Sequence, residues 1–159
     1  MKNTLKIRRY HLDDMDRIIS VFIRSINNIA IQDYTSNQIK AWGSIDKEIW
    51  INRLENSQVW VSTHNDQIIG FISLENFSYI DLLFVHPDYL RLGVATRLLK
   101  DLEGVAVRNG VGAITTDASI TAKPFFTKHG FAVVRKQEVS LRGQSFINFN
   151  MEKKLEYHG

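Results

Sequence analysis

Two periods alternate along the chain, and each change between them marks an element. Leu5 to Arg9 reads as a first strand. Met15, Ile18, Ile19, Phe22, Ile23 and Ile26 then recur at helical spacing, which predicts an amphipathic helix capped by Asp13 or Asp14 and running to about Ile29. Thr35, with Gln38 three residues on, is a capping-box pattern for a short helix through Trp42, stopped at Gly43. Asp46 to Leu54 forms a third helical piece, with Ile49, Trp50 and Leu54 on one side. Val59 to Thr63 alternates as strands do, and Asn65-Asp66 turns it into an antiparallel partner over Gln67–Leu74.

Asn76 and Ser78 mark the next turn, and the stretch from Tyr79 to Lys100 organises the rest of the chain. Tyr79–Val85 is nearly all apolar, as in a strand covered on both sides. Strict alternation puts Ile80, Leu82 and Phe84 on one face and Tyr79, Asp81, Leu83 and Val85 on the other. His86-Pro87-Asp88 ends it, because Pro87 has no N–H for a ladder. Val94, Leu98, Leu99 and Leu102 then carry a helix to about Arg108, ended by Asn109-Gly110. Val111 to Asp117 is the next strand, parallel to Tyr79–Val85 because a helix joins them. A short helix over Thr121–Lys128, closed by His129-Gly130, precedes a hairpin of Phe131–Leu141 and Ser145–Lys153 around Arg142-Gly143. The predicted fold class is α/β (α+β): one domain over residues 1–159, its mixed sheet antiparallel at the ends and parallel in the middle.

The junction after the organising strand has a chemical consequence. The first N–H groups of a helix lack partners within it, and the aligned peptide dipoles place partial positive charge there. Gly93 lets a ligand approach the backbone, Ala95 adds little bulk, and Arg91 and Arg97 add charge. A phosphate or pyrophosphate is the natural guest. Neither well-known phosphate loop is present, since the Gly-Lys-Ser/Thr ending and the further glycines of the dinucleotide fingerprint are missing.

Composition narrows the chemistry. Net charge of +3 suits an anionic ligand, but the basic residues are scattered, which argues against nucleic acid. There is no cysteine, so disulfides, thiolate metal sites and an acyl-cysteine mechanism are excluded, and the five histidines show no metal-ligand spacing. No apolar run approaches the roughly 20 residues of a membrane helix. The polar N-terminus, MKNTLKIRRYHLDD, lacks the apolar core of a signal peptide, so a cytoplasmic protein away from membranes is expected.

VHPDYLRLGVATRLL resembles the acetyl-CoA-binding segment of the GNAT superfamily of N-acetyltransferases. Gly93 and Ala95 match the last two fixed positions of its Gln/Arg-x-x-Gly-x-Gly/Ala pattern, while Leu90 departs from the first. Ala122-Lys123-Pro124-Phe125-Phe126-Thr127-Lys128-His129-Gly130-Phe131 resembles the second family signature, and Ile68-Ile69-Gly70-Phe71-Ile72 its third strand. The three stand in family order. The resemblance implies two splayed central parallel strands, helices on both faces of the sheet, and acetyl-CoA as co-substrate in the gap, with no metal. It places the pantetheine arm near Leu83, Phe84 and Val85, and the pyrophosphate on the amides from Leu92 through Gly93, Val94, Ala95 and Thr96 to Arg97. Ser119, Lys123 and Phe126 would approach from the far side.

The implied reaction is direct attack of a small-molecule or peptide amine on the thioester in a ternary complex. The family often has a Glu early on the central strand; Tyr79 stands there, and Asp81, facing the same side, is the first candidate for base or amine binder. Tyr79, Glu75 and Asp117 follow. Tyr34, Trp42 and Glu75 are candidates for the acceptor pocket. The family's usual thiolate-protonating Tyr is Phe126 here, which leaves either no enzyme acid or a hydroxyl such as that of Tyr34 or Tyr79. Two alternatives remain: a CoA-binding sensor or structural module without turnover, and transfer of a longer acyl chain. Relatives that pair through sheet edges or terminal strands make a homodimer one implied assembly.

Overall fold

A computed structural model describes residues 5–28 and 32–156. The elements are β1 (Leu5–Arg9), α1 (Met15–Asn28), α2 (Ser36–Trp42), α3 (Lys47–Glu55), β2 (Gln58–His64), β3 (Gln67–Glu75), β4 (Tyr79–Val85), α4 (Val94–Arg108), β5 (Ala113–Ser119), α5 (Lys123–Lys128), β6 (Ala132–Leu141) and β7 (Gln144–Lys154). The strands form one sheet in the order β1-β2-β3-β4-β5-β7-β6. Only β4 and β5 are parallel neighbours; the other pairs are antiparallel. The mixed sheet expected from the periodicities is therefore present, and no described helix is long and apolar enough to cross a membrane.

The two-residue hairpin turns form for a local reason. Asn65 and Asp66 take φ of 50° and 65°, and Arg142 and Gly143 take 47° and 79°, the positive values that match a two-residue loop to strand twist. Thr35 and Gln38 make the predicted capping box on α2. The first helix departs from expectation at its start. His11 is the cap of a 3-10 turn over Leu12–Asp14 that leads into α1, and Asp14 closes that box by accepting from the His11 amide. Asp14 is also held by two 2.9 Å bonds from Arg8. The predicted end at Ile29 lies outside the described residues. On α3, Trp50 and Leu54 are buried but Ile49 is 60% exposed, so it does not share their side. The fifth strand and the short helix each start two residues later than expected, at Ala113 and Lys123.

The sheet separates two cores. Val94, Leu98, Leu99, Leu102 and Ala106 of α4 pack with Ile72, Leu74, Ile80, Val85, Ile114 and Phe126 on one face. Met15, Ile18, Phe22 and Ile26 of α1 pack with Trp50, Leu54, Phe71 and Leu82 on the other. A third cluster of Tyr34, Ile39, Ala41 and Phe146 seats α2 against β7. Gly70 lets α4 approach the sheet: a Cβ there would lie 3.0 Å from Val94 Cγ1 and 3.3 Å from the Phe84 carbonyl oxygen. Gly70→Val is expected to cost about 1–3 kcal/mol by overpacking, read as a lower denaturant midpoint with unchanged m-value.

One irregularity corrects the face assignment of the organising strand. Leu82 pairs with Ser73 and Ile80 with Leu74, so Asp81 is an extra residue with no partner on β3. This β-bulge resets the alternation. Ile80 packs on the α4 side with Leu83 and Val85, whereas Leu82 and Phe84 pack on the α1 side.

Candidate active site

The parallel strands part almost as soon as they meet. β4 and β5 pair at Tyr79↔Thr115 and Ile80↔Thr116, and the Thr116 hydroxyl donates to the Ile80 carbonyl at 3.0 Å. Beyond the bulge they diverge, and β5 is held instead by β7. The gap opens into a cleft of about 520 Å³. Leu83, Phe84, Val85 and Ala95 wall one side, Asp117, Ser119, Phe125 and Phe126 the other, and Tyr34, Trp42 and Phe146 close over it.

The mouth of α4 lies at the end of this cleft. Gly93 takes φ of 69°, in the left-handed region where only glycine is unstrained, and a Cβ there would meet nothing within 4 Å. The first α4 amide with a helical acceptor is Arg97, bonded to the Gly93 carbonyl at 3.0 Å. The Leu92 amide makes a long 3.4 Å bond to Tyr89. The expected run of free amides from Leu92 to Arg97 therefore narrows to Gly93, Val94, Ala95 and Thr96. The Arg97 guanidinium donates to the Leu5 carbonyl at 3.2 Å, which turns it toward β1. Val94 is buried in the core, while Leu92 is half-exposed and Arg91 exposed; of this stretch only Ala95 lines the cleft itself, with Gly93 and Thr96 at its rim. Lys123 lies over the Phe149 ring, 4.6 Å from its centroid, and also does not line the cleft.

Thr96 meets the other signature directly, with its hydroxyl 3.1 Å from His129 Nε2. Burial first, then repulsion from Lys128 and Lys153, lowers the His129 pKa below its ordinary value. The unfolded chain therefore binds this proton more readily than the folded protein. The stability contribution of His129 is complete above the unfolded value of about 6.5 and is lost as pH falls through the lower folded value. His129→Gln is expected to flatten the fall in melting temperature on acidification from about pH 7 to 5; an unchanged slope would assign that fall to other groups.

The far end of the cleft is polar. Asp81, with a 9% exposed side chain, receives two bonds from Arg53 of α3, Nε to Oδ2 at 2.5 Å and Nη2 to Oδ1 at 2.6 Å. Glu75 stands beside them; burial, then the Asp81 charge, raises its pKa above the ordinary range. Tyr79, opposite Glu75 in the ladder, donates to Asp117 Oδ2 at 2.9 Å. Burial and that bond raise the phenol well above its usual value. Gln137 and Asn150 donate to Asp117 Oδ1 at 2.7 and 3.0 Å. Asp81 and Asp117 reach the cleft wall; Tyr79 and Glu75 stand behind it.

Among the groups at this polar end that sequence reasoning missed are Arg53 and Asn148. Arg53 carried a usable signal, since its spacing from Trp50 puts it on the helix face that packs on the sheet. Asn148 carried none; its buried Oδ1 has no donor among the described residues.

A family model for GNAT acetyltransferase domains matches residues 30–155. The chain belongs to the GNAT acetyltransferase family. As a GNAT protein it is 45% identical over 156 residues to the uncharacterized N-acetyltransferase YafP of Escherichia coli K12, covering 98% of this chain and 99% of that one. A crystal structure of a GCN5-related N-acetyltransferase from Rhodopseudomonas palustris superposes with a TM-score of 0.93 at 34% identity, covering 98% and 99% of the two chains. At 21% identity and a TM-score of 0.77, the PaiA N-acetyltransferase of Thermoplasma acidophilum, crystallised in complex with coenzyme A, shares the fold over 98% of this chain and 100% of its own. The chain is thus an acetyltransferase, with the GNAT sheet and its splayed strands as the frame of the cleft.

Proposed function

We propose that this acetyltransferase moves the acetyl group of acetyl-CoA to a primary amine of a small molecule or peptide, by direct attack within a ternary complex. The observation that carries the reading is the divergence of β4 from β5 straight onto the free amides of α4. That PaiA, a protein of the same fold, was crystallised with coenzyme A supports coenzyme A as the ligand class. The residues fit the group. The Gly93–Thr96 amides form an unhindered anion cradle. The exposed edge of β4 at Leu83, Phe84 and Val85 offers backbone groups that β5 no longer pairs, and Ser119 and Phe126 close the opposite wall. When bound, acetyl-CoA supplies an activated acyl carbon.

The chain's own groups do the rest. Asp81 presents a carboxylate at the cleft wall to bind the acceptor ammonium, and Arg53 fixes its orientation. Both Asp81 oxygens are engaged by Arg53, so Glu75 beside it, held above the ordinary carboxylate range, takes the proton. Tyr79 and Asp117 hold the base of the splay.

A second reading is favoured by Phe126, which supplies no proton where the family's second signature usually has a Tyr: a CoA-binding module with little turnover. Release of free thiol from acetyl-CoA across a panel of primary amines separates the two. Amine-dependent release is expected; binding of acetyl-CoA with no release for any amine would favour the module.

A further inference from the structure

The leaving thiolate needs a proton, and Phe126 at the cleft wall has none to give. Among the described residues that line the cleft, Tyr34 is the one phenol. It arrives from an unexpected direction, the loop between α1 and α2. Two bonds pin that loop across the end of β5. The Tyr34 hydroxyl oxygen accepts from the Ile120 amide at 2.8 Å, and Asp33 Oδ2 accepts from the Thr121 hydroxyl at 2.8 Å. The bond from Ile120 occupies a lone pair of Tyr34 and leaves the O–H proton to be donated. Packing fixes the ring as well: Tyr34 is 8% exposed, with its centroid 5.4 Å from Trp42 and 6.0 Å from Phe146. Trp42 in turn lies 6.2 Å from Phe84 on the opposite strand, so the phenol is held within the splay.

We propose that Tyr34 is the general acid of this enzyme, donating its hydroxyl proton to the departing coenzyme A sulfur. The inference rests on the acetyl-transfer reading above. As the amine nitrogen bonds to the acyl carbon, the C–S bond breaks and its electron pair goes to sulfur. The Tyr34 proton moves to that sulfur, the acylated nitrogen releases its extra proton to water, and the phenolate regains one from water. The environment suits both states. Burial keeps the phenol protonated at neutral pH, while the Ile120 amide that donates to its oxygen favours the phenolate once the proton has left. The position of the acid has thus moved from the α5 side of the cleft to the loop before α2.

The test measures free-thiol release from acetyl-CoA, with 2-phenylethylamine, spermidine and an alanyl peptide as acceptors, for four proteins. These are the wild type, Tyr34→Phe, Phe126→Tyr and the double variant. Tyr34→Phe is expected to lose about 100-fold in kcat, within the usual range for a general acid, with acetyl-CoA KM within about threefold. The double variant is expected to recover at least tenfold of that loss, because a phenol at position 126 supplies the proton from the other wall. A Tyr34→Phe enzyme within threefold of wild-type kcat would overturn the proposal. So would a loss shared equally by CoA affinity and turnover that position 126 does not rescue, since that is the mark of a structural Ile120 contact. Phe126→Tyr alone, which does not depend on the folding of the Tyr34 variant, gives the baseline for the double variant; a tenfold rise in its kcat over wild type would show that no acid had been in place and would overturn the proposal. A wild type that binds acetyl-CoA but releases no thiol with any of the three amines would sink the transfer reading itself, and Tyr34 with it.

Discussion

Gly93→Glu is expected to abolish coenzyme A binding while leaving the fold intact. Three observations give the size of the effect. Gly93 adopts φ of 69°, so any side chain there adds strain of about 1–2 kcal/mol. Nothing lies within 4 Å of a Cβ at this position, so the side chain enters the cradle rather than the core. The added carboxylate then stands at the free amides of Gly93–Thr96, where it takes the place of the pyrophosphate and repels it. Affinity is expected to fall by 100-fold or more, roughly the value of two charge-assisted hydrogen bonds. Calorimetric titration with CoA and a thermal melt of the variant check the two halves of the claim. A cooperative melt with unchanged CoA affinity would remove the anion site from α4.

Asp81→Asn is expected to reduce turnover by about 100-fold with CoA affinity within threefold of wild type. The variant removes the charge that receives the acceptor ammonium and breaks the link from the cleft to Glu75. It also leaves Arg53 without its ion pair. A stability loss of about 1–3 kcal/mol is therefore expected, visible as a lower melting temperature. Glu75→Gln separates chemistry from structure. It retains the Arg53–Asp81 pair, so stability should hold, while the acidic limb of the kcat profile, displaced above the ordinary carboxylate range by the raised Glu75 pKa, should disappear. Turnover and CoA affinity falling together in Asp81→Asn, with Glu75→Gln at wild-type rate, would reduce Asp81 to a structural partner of Arg53.

The features legible in the sequence were those set by neighbours in the chain. Asn65-Asp66 and Arg142-Gly143 tolerate the positive φ that a tight hairpin needs, so both turns could be read directly. Thr35 and Gln38 carry their cap within four residues. The strand–loop–helix junction at Gly93 follows from a change of period. The features that escaped depend on distant partners. The bulge at Asp81 is invisible to alternation because every residue around it is apolar enough for either face. The Arg53–Asp81 pair joins residues 28 apart, and Thr96–His129 residues 33 apart. Arg97 looked like a phosphate ligand by proximity to Gly93, yet its side chain reaches the β1 carbonyl instead. Tyr34 was legible as an aromatic near a pocket, but its bond to Ile120 spans 86 residues and depends on the closed sheet.

The most direct measurement is calorimetric titration of the purified protein with acetyl-CoA, followed by CoA. One site per chain with micromolar affinity is expected, because the splay of β4 from β5 and the free amides of α4 are both in place before a ligand arrives. A folded protein that takes up neither molecule would contradict the placement of the cofactor, and the loop at Gly93 would then be a plain turn between strand and helix.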